Sequence, residues 1–390
     1  MRQVILGCAM LLVFAATASA QTGRDARILR PDGAILTVTY TPAAKPGPGV
    51  LLLHACNRNR KSWDTLTARL VAAGYHVLAY DYRGYGDSTG AAYVKPGDLQ
   101  RAMATFFPGD AEAAYSYLRS QSGVDKNRIG AAGASCGVNQ AVQLALIHPQ
   151  MRSLVLLSGN TDTAGRQFLR EAGSPPILAA ASDDDDDAVQ LSQWFLSFSH
   201  NPLNHFEEYK AAGHGTDMFK VEKGLEPMIV EWFDKTLRNA PAKPQARAGT
   251  SPPTPIEEFW SLLEDPGGAA RATEYYEAAK KRDPKIVLFP ESVLNAFGYG
   301  RLEAGEAAEA VIIFKLNMAA YPASPNVYDS LADGYVAVGD RDLAIQFARK
   351  TLEMLEATPI LEPELRKLLR ESAEEKLRKL GASYAIPKKP

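Results

Sequence analysis

Residues 133–137 read Gly-Ala-Ser-Cys-Gly, a G-x-S-x-G pattern between an apolar stretch at 128–132 and a helix-forming one from Asn139. A strand running in and a helix running out make the turn so tight that its central residue takes strained dihedrals, and flanking glycines relieve the clash. Such a turn lifts the Ser135 hydroxyl above a sheet and aims the Cys136 N–H at the point where an oxyanion would develop. A serine hydroxyl is a weak nucleophile that needs a base, and the base needs an acid to orient it. The chain has six histidines. His54 ends an apolar stretch, His76 lies within another, His148 closes a helix, and His200 and His205 precede the last expected strand. Each of these reads as a buried, hydrogen-bonded or capping residue, and none has the spacing of a zinc site. His214, in Ala-Ala-Gly-His-Gly, falls in a small-residue loop beyond that strand and is the candidate base. The acid would come from the five consecutive aspartates at 183–187, which follow the apolar residues 177–181 and Ser182. The run does not itself say which one serves, and the remaining aspartates read as a solvated acidic loop.

These groups need a scaffold, and the chain supplies one between residues 27 and 237. Short apolar runs at 50–53, 76–80, 128–132, 153–157, 177–181 and 206–210 alternate with amphipathic stretches at 63–73, 110–120, 139–147, 187–198 and 227–237. Near-continuous apolar strands alternating with helices predict an α/β fold with a mostly parallel, doubly wound sheet covered on both faces. Residues 27–40, around Pro31-Asp32-Gly33, predict an antiparallel hairpin at the sheet edge. About twenty residues separate Leu157 from Ile177, so any lid inserted there is small or absent. Residues 91–108, with Met103, Phe106 and Phe107, could line a pocket or simply pack. Arg58, Arg60 and Lys61 read as a solvated basic loop, with recognition of an anionic substrate as the alternative.

The set of motifs resembles the α/β-hydrolase superfamily, in its dienelactone-hydrolase-like branch but with serine rather than cysteine at the nucleophile. The resemblance rests on the elbow at Ser135, on residues 53–57 (Leu-His-Ala-Cys-Asn) where relatives carry His-Gly-X, and on residues 81–88, which match D-x-R-G-x-G-x-S. It implies a catalytic triad of Ser135, Asp185 and His214. The acid in such relatives stands three positions after a small residue at the strand end, here Ser182, with Asp186 as the alternative. It also makes Cys56 the second oxyanion donor beside Cys136, although Ala55 replaces the expected glycine. Two nitrogens that share one oxygen lie close together, which brings the two cysteines near the disulfide window of about 4.4–6.8 Å between α-carbons. A disulfide and a pair of small buried thiols pointing apart both remain open.

Residues 239–256 are proline-rich and predict a linker, with few contacts across it and a separable fragment of residues 21–240. From 257 to 390 helix formers take over. Phe297, Gly298, Gly305 and Ala310 reappear 34 positions later as Leu331, Ala332, Gly339 and Ala344. That period resembles tetratricopeptide repeats, with an irregular helical appendage as the alternative. Residues 1–20 carry Arg2, an apolar run and Ala18-Ser19-Ala20, the pattern of a secretory signal cleaved near Ala20, which predicts a periplasmic or secreted protein. Beyond it, no stretch is long and apolar enough to span a membrane. Across 390 residues, 46% hydrophobic and 23% charged content fit a globular chain, and a net charge of −2 gives no case for nucleic acid. The expected activity is hydrolysis of an ester or thioester in a small-molecule acyl substrate, without metal or organic cofactor. Peptide or amide hydrolysis is the alternative within the fold. An interaction module, binding a protein partner through its repeats and carrying a vestigial hydrolase domain, is the alternative outside it.

Overall fold

The computed structural model describes residues 22–90, 93, 98–171, 173–185, 187–240, 252–358, 361 and 363–382. The expected signal segment 1–20 and the middle of the expected linker lie outside the described residues. Eight strands form one sheet: β1 (Arg24–Leu29), β2 (Ile35–Thr41), β3 (Gly47–Leu53), β4 (His76–Tyr80), β5 (Val124–Ala134), β6 (Met151–Leu157), β7 (Ile177–Ser182) and β8 (His205–Tyr209). Their order is β1-β2-β4-β3-β5-β6-β7-β8. The first two strands form the expected hairpin, β2 runs antiparallel to β4, and every later pairing is parallel.

Successive side chains of a strand point to opposite faces, and here both faces are buried. Leu51, Leu53, Leu78, Ala131, Leu154, Leu156, Ile177 and Ala179 belong to one core. Val50, Leu52, Val77, Ala132, Val155, Leu157 and Leu178 belong to the other. The helices of this half are α1 (Asp64–Ala72), α2 (Asp98–Thr105), α3 (Phe107–Ser120), α4 (Cys136–Ile147), α5 (Thr163–Arg170), α6 (Ala188–Leu196), α7 (Met218–Val221) and α8 (Leu225–Phe233). α1 with the Trp63 that precedes it, and α8, cover the second face through Trp63, Leu66, Leu70, Ile229 and Trp232. α3, α4 and α6 cover the first.

Among the described residues seven helices follow: α9 (Pro255–Glu264), α10 (Ala269–Arg282), α11 (Glu291–Glu303), α12 (Ala307–Ala320), α13 (Pro325–Val338), α14 (Arg341–Ala357) and α15 (Pro363–Lys379). α9 begins inside the expected linker. Pro255 takes its first position, where the missing N–H costs nothing, and Thr254 and Glu257 close a capping box. The starts of α11 and α12 recur 34 residues later as those of α13 and α14, and the turns between each pair end on Gly305 and Gly339, both at φ +80°. Gly298 lies where a Cβ would stand 2.5 Å from the Phe314 ring, the close helix crossing that the repeat demands.

The expectation of few contacts across the linker is corrected. Phe259, Trp260, Leu263, Phe289 and Leu294 are buried in the same core as Trp194, Phe195 and Phe198. Trp260 packs edge-on against Trp194 at 5.0 Å, and both indole N–H groups donate to the Leu288 carbonyl, at 3.1 and 3.2 Å. Arg166 lies over both indoles and pairs with Glu264 at 3.1 Å. Glu257, nearly fully buried, bonds His200 at 2.8 Å. Burial alone would raise its carboxyl, but the Thr254 backbone N–H and His200 outweigh that and hold it below the ordinary glutamate value. The proline-rich composition did reveal a change of architecture, but not the apolar face of α6 left for α9 to cover. A fragment ending at Ala240 is therefore expected to aggregate rather than fold independently. In the full chain, Trp260→Ala should cost about 3–5 kcal/mol, read as a lower urea midpoint. An unchanged midpoint would show that the two halves are not one core.

Candidate active site

Ser135 sits between the end of β5 and the start of α4 with φ +54° and ψ −121°, a backbone that a non-glycine residue rarely adopts. The neighbouring glycines have no room for a side chain. A Cβ on Gly133 would lie 2.2 Å from the Gly137 carbonyl oxygen, and one on Gly137 would lie 2.4 Å from the Leu53 carbonyl oxygen. Gly159, after β6, presses on the other side, where a Cβ would stand 2.6 Å from the Ser135 oxygen. The Ser135 N–H donates to the Leu157 carbonyl at 2.8 Å, so the turn is also tied to the neighbouring strand.

The acidic run begins as β7 ends at Ser182. Asp185 accepts hydrogen bonds from His214 Nδ1 at both carboxylate oxygens, at 2.7 and 2.8 Å. That hydrogen bond raises the imidazole pKa above its usual value, against a smaller opposing effect of burial. With Nδ1–H committed to Asp185, Nε2 is the nitrogen free to take a proton. The alternative acid, Asp186, lies outside the described residues.

Asp183 and Asp184 correct the reading of a merely solvated loop. Asp183 accepts the Ala211 N–H at 2.9 Å, and Asp184 accepts the Gly213 N–H at 3.0 Å together with the Ser182 hydroxyl. Their carboxylates clip the histidine loop from below while Asp185 orients its ring. The Ser158 hydroxyl accepts the Gly215 N–H at 2.9 Å and fixes the loop on its far side.

His54 is fully buried and holds the loop after β3. Its Nδ1–H donates to the Ala55 carbonyl at 2.7 Å, and its Nε2 accepts the Tyr82 N–H at 3.1 Å. Desolvation lowers its pKa to about 4, so it stays neutral and keeps this tautomer. Cys56 follows directly and forms a disulfide with Cys136, with α-carbons 5.8 Å apart. Among the described residues, neither the Cys56 nor the Cys136 backbone N–H has a protein acceptor.

The basic loop is solvated only in part: Lys61 is exposed, while both arginines are paired with aspartates of the chain. Arg60 is buried against Asp81 and Asp87, its backbone N–H donates to Asp81 at 2.7 Å, and Arg58 pairs with Asp217. Asp81 also accepts the Asp87 N–H at 2.9 Å, while Arg83 binds Asp110 through two nitrogens. The D-x-R-G-x-G-x-S turn is thus a structural clamp.

Ser135, His214, Cys56 and Cys136 line one cavity of about 750 Å³. Leu99 and Met103 of α2 border it, whereas Phe107 stacks on Tyr82 and Phe106 lies beneath Arg83. Sequence reasoning missed the rest of the lining. Thr163 and Arg166 come from α5, within the interval expected to hold little or no lid, and Trp260, Ser292, Val293, Ala296 and Phe297 come from the helical region. The apolar face of 291–297 was the available signal, but helical repeats have such a face in any case.

With this geometry in view, residues 48–214 match the family model of the alpha/beta hydrolase fold. The fold is thus an alpha/beta hydrolase sheet of mostly parallel strands followed by an all-helical region. An uncharacterized protein of Mycobacterium tuberculosis is 37% identical over 145 residues, 36% of this chain and 47% of that protein. Epoxide hydrolase A of the same organism is 38% identical over 79 residues, 20% of this chain and 24% of that one. The quorum-quenching protein AidA of Acinetobacter baumannii is 30% identical over 125 residues, 32% of this chain and 39% of that one. The chain spans about half the length, or less, of the curated relatives it matches. Among solved structures, the dienelactone hydrolase of Anabaena variabilis has a TM-score of 0.43 and 16% identity, over 56% of this chain and 100% of that one.

The disulfide is directly testable. Alkylation of the unfolded, unreduced protein should leave both Cys56 and Cys136 unmodified, and prior reduction should add two alkyl groups by mass. Two alkylated cysteines without reductant would contradict the structure.

Proposed function

We propose that the chain is a serine hydrolase that cleaves an ester or thioester through Ser135, His214 and Asp185. The observation that carries the reading is the convergence of three things on one cavity. These are a strained serine at the elbow, an imidazole held by a carboxylate through Nδ1, and two cystine-linked residues with unpaired N–H groups.

Neutral His214 accepts the Ser135 proton at Nε2 as Oγ attacks the acyl carbonyl carbon. Asp185 stabilises the imidazolium without taking its proton. The carbonyl oxygen becomes an oxyanion held by the Cys56 and Cys136 N–H groups, whose stabilisation needs no reorganisation because the disulfide fixes both. Collapse breaks the bond to the alcohol or thiol, which leaves with the proton from His214. Water, deprotonated by His214, then attacks the acyl-enzyme and releases the carboxylic acid, restoring Ser135.

The disulfide also supports export, since such bonds persist in oxidising compartments. With the signal-like residues 1–20, it favours a periplasmic or secreted site of action. The 34-residue recurrence of the helix pairs supports kinship of the C-terminal region with tetratricopeptide repeats.

A fluorophosphonate probe should label the wild type and not Ser135→Ala. Labelling retained in Ser135→Ala would overturn the assignment. Asp185→Asn should lower kcat by about 10⁴ through loss of the correct tautomer. The pH profile follows from the raised His214 pKa. Because the neutral imidazole is the base, kcat/KM should be full at high pH and fall as pH drops through a midpoint above 6.5. A midpoint at or below that value would show that the Asp185 bond does not govern the base.

A further inference from the structure

The helices after the linker do more than cover the sheet, since α9 brings Trp260 to the cavity and α11 lines it with four residues. We propose that α11 is the specificity wall of this site. On this view the substrate carries an uncharged apolar acyl group larger than acetyl, seated against Val293 and Phe297, with Ala296 setting how long it can be. The inference rests on the hydrolysis proposed above and names its substrate class.

Four observations lead to it. First, the cavity of about 750 Å³ is far larger than an acetyl ester needs, and lies in the range of sites that enclose a drug-sized molecule. Second, its walls are apolar on two sides, with Leu99, Met103 and Leu191 from the hydrolase half and Val293, Ala296 and Phe297 from α11.

Third, the α11 wall is held in place. Phe297 stands edge-on to the buried Trp260 at 5.6 Å, with the Arg301 guanidinium 5.1 Å from its ring centre. The Ser292 hydroxyl donates to Asp187, two residues beyond Asp185, so α11 is tied to the loop that carries the acid. Fourth, the two terminal nitrogens of Arg166, which also borders the cavity, are already committed within the protein. Its terminal nitrogens bond the Thr161 carbonyl at 3.0 Å, the Thr163 hydroxyl at 2.9 Å and Glu264 at 3.1 Å.

Water against such walls is displaced favourably by a chain of methylene groups, each worth about fourfold in affinity when buried. Ala296 is exposed on α11 while lining the cavity. A larger side chain there would therefore enter the cavity without disturbing the core.

The test is kcat/KM for the full-length protein on p-nitrophenyl acetate, butyrate, hexanoate and octanoate. The wild type should rise along the series, approaching about fourfold per added methylene until the cavity is filled. Ala296→Trp should lower the octanoate-to-acetate ratio at least tenfold, mainly through KM. Ala296→Leu should lower it less, and it serves as the readout if the tryptophan variant does not fold. A wild-type profile that is flat or falls with length would overturn the inference and leave the serine hydrolase standing. So would an unchanged ratio in variants whose Ser135 still reacts with the fluorophosphonate. Failure of the wild type to hydrolyse any ester would instead remove the hydrolase reading itself.

Discussion

Ser135 is held at φ +54°, in a backbone conformation that costs a non-glycine residue about 1–3 kcal/mol. That strain persists because three chain segments close on the turn with no room for a β-carbon. Gly133 meets the backbone of Gly137, Gly137 meets the end of β3, and Gly159 meets Ser135 itself. The same contacts set the spacing between the elbow and the loop that carries Cys56, which continues from Leu53 through His54 and Ala55. The disulfide adds a covalent bond to a pair of segments that packing had already brought together. Both unpaired N–H groups are thereby fixed relative to the serine before any ligand arrives.

The rest of the molecule serves that geometry from outside. β7 and β8 end at the same edge of the sheet as β5 and lead into Asp185 and His214, which their parallel pairing brings together. Asp183 and Asp184 bind backbone N–H groups of the histidine loop, so the acidic run acts as a clip while Asp185 orients the ring. On the first face of the sheet, α9 and α11 complete a core that α6 leaves open. The contacts that stabilise the chain there also shape the cavity. Arg166 shows the economy of this: one guanidinium spans α5, two tryptophans and Glu264. Such a buried charge is strongly destabilising when its partner is removed.

Much of this could be read from the residues because the signals were local. The expected strand at 76–80 matches β4, and the expected helices 139–147 and 110–120 fall within α4 and α3, since apolar runs and their periods report burial directly. The pairing of Asp185 with His214 followed from the resemblance, which implies an acid three positions after Ser182, while the aspartate run alone left the choice open. What could not be read was long-range. Arg58, Arg60 and Lys61 look like a basic loop in sequence, and only the fold reveals Asp217 as the partner of Arg58 and Asp81 and Asp87 as those of Arg60. The proline-rich stretch at 239–256 reports local stiffness and says nothing about which surfaces meet beyond it. The place of α11 at the cavity was hidden for the same reason, because Phe297 and Ala296 suit a helix crossing as well as a cavity wall.

The central claim is that the Ser135 hydroxyl and the Cys56 and Cys136 N–H groups act on one carbonyl, with α11 receiving the group attached to it. A crystal structure of the protein after reaction with a hexyl-bearing fluorophosphonate tests this most directly. The account predicts phosphorus bonded to Ser135 Oγ and one phosphonyl oxygen about 2.7–3.1 Å from both nitrogens, with the alkyl chain along Phe297 and Ala296. Phosphorus on another residue, or its oxygen held by other donors, would contradict it.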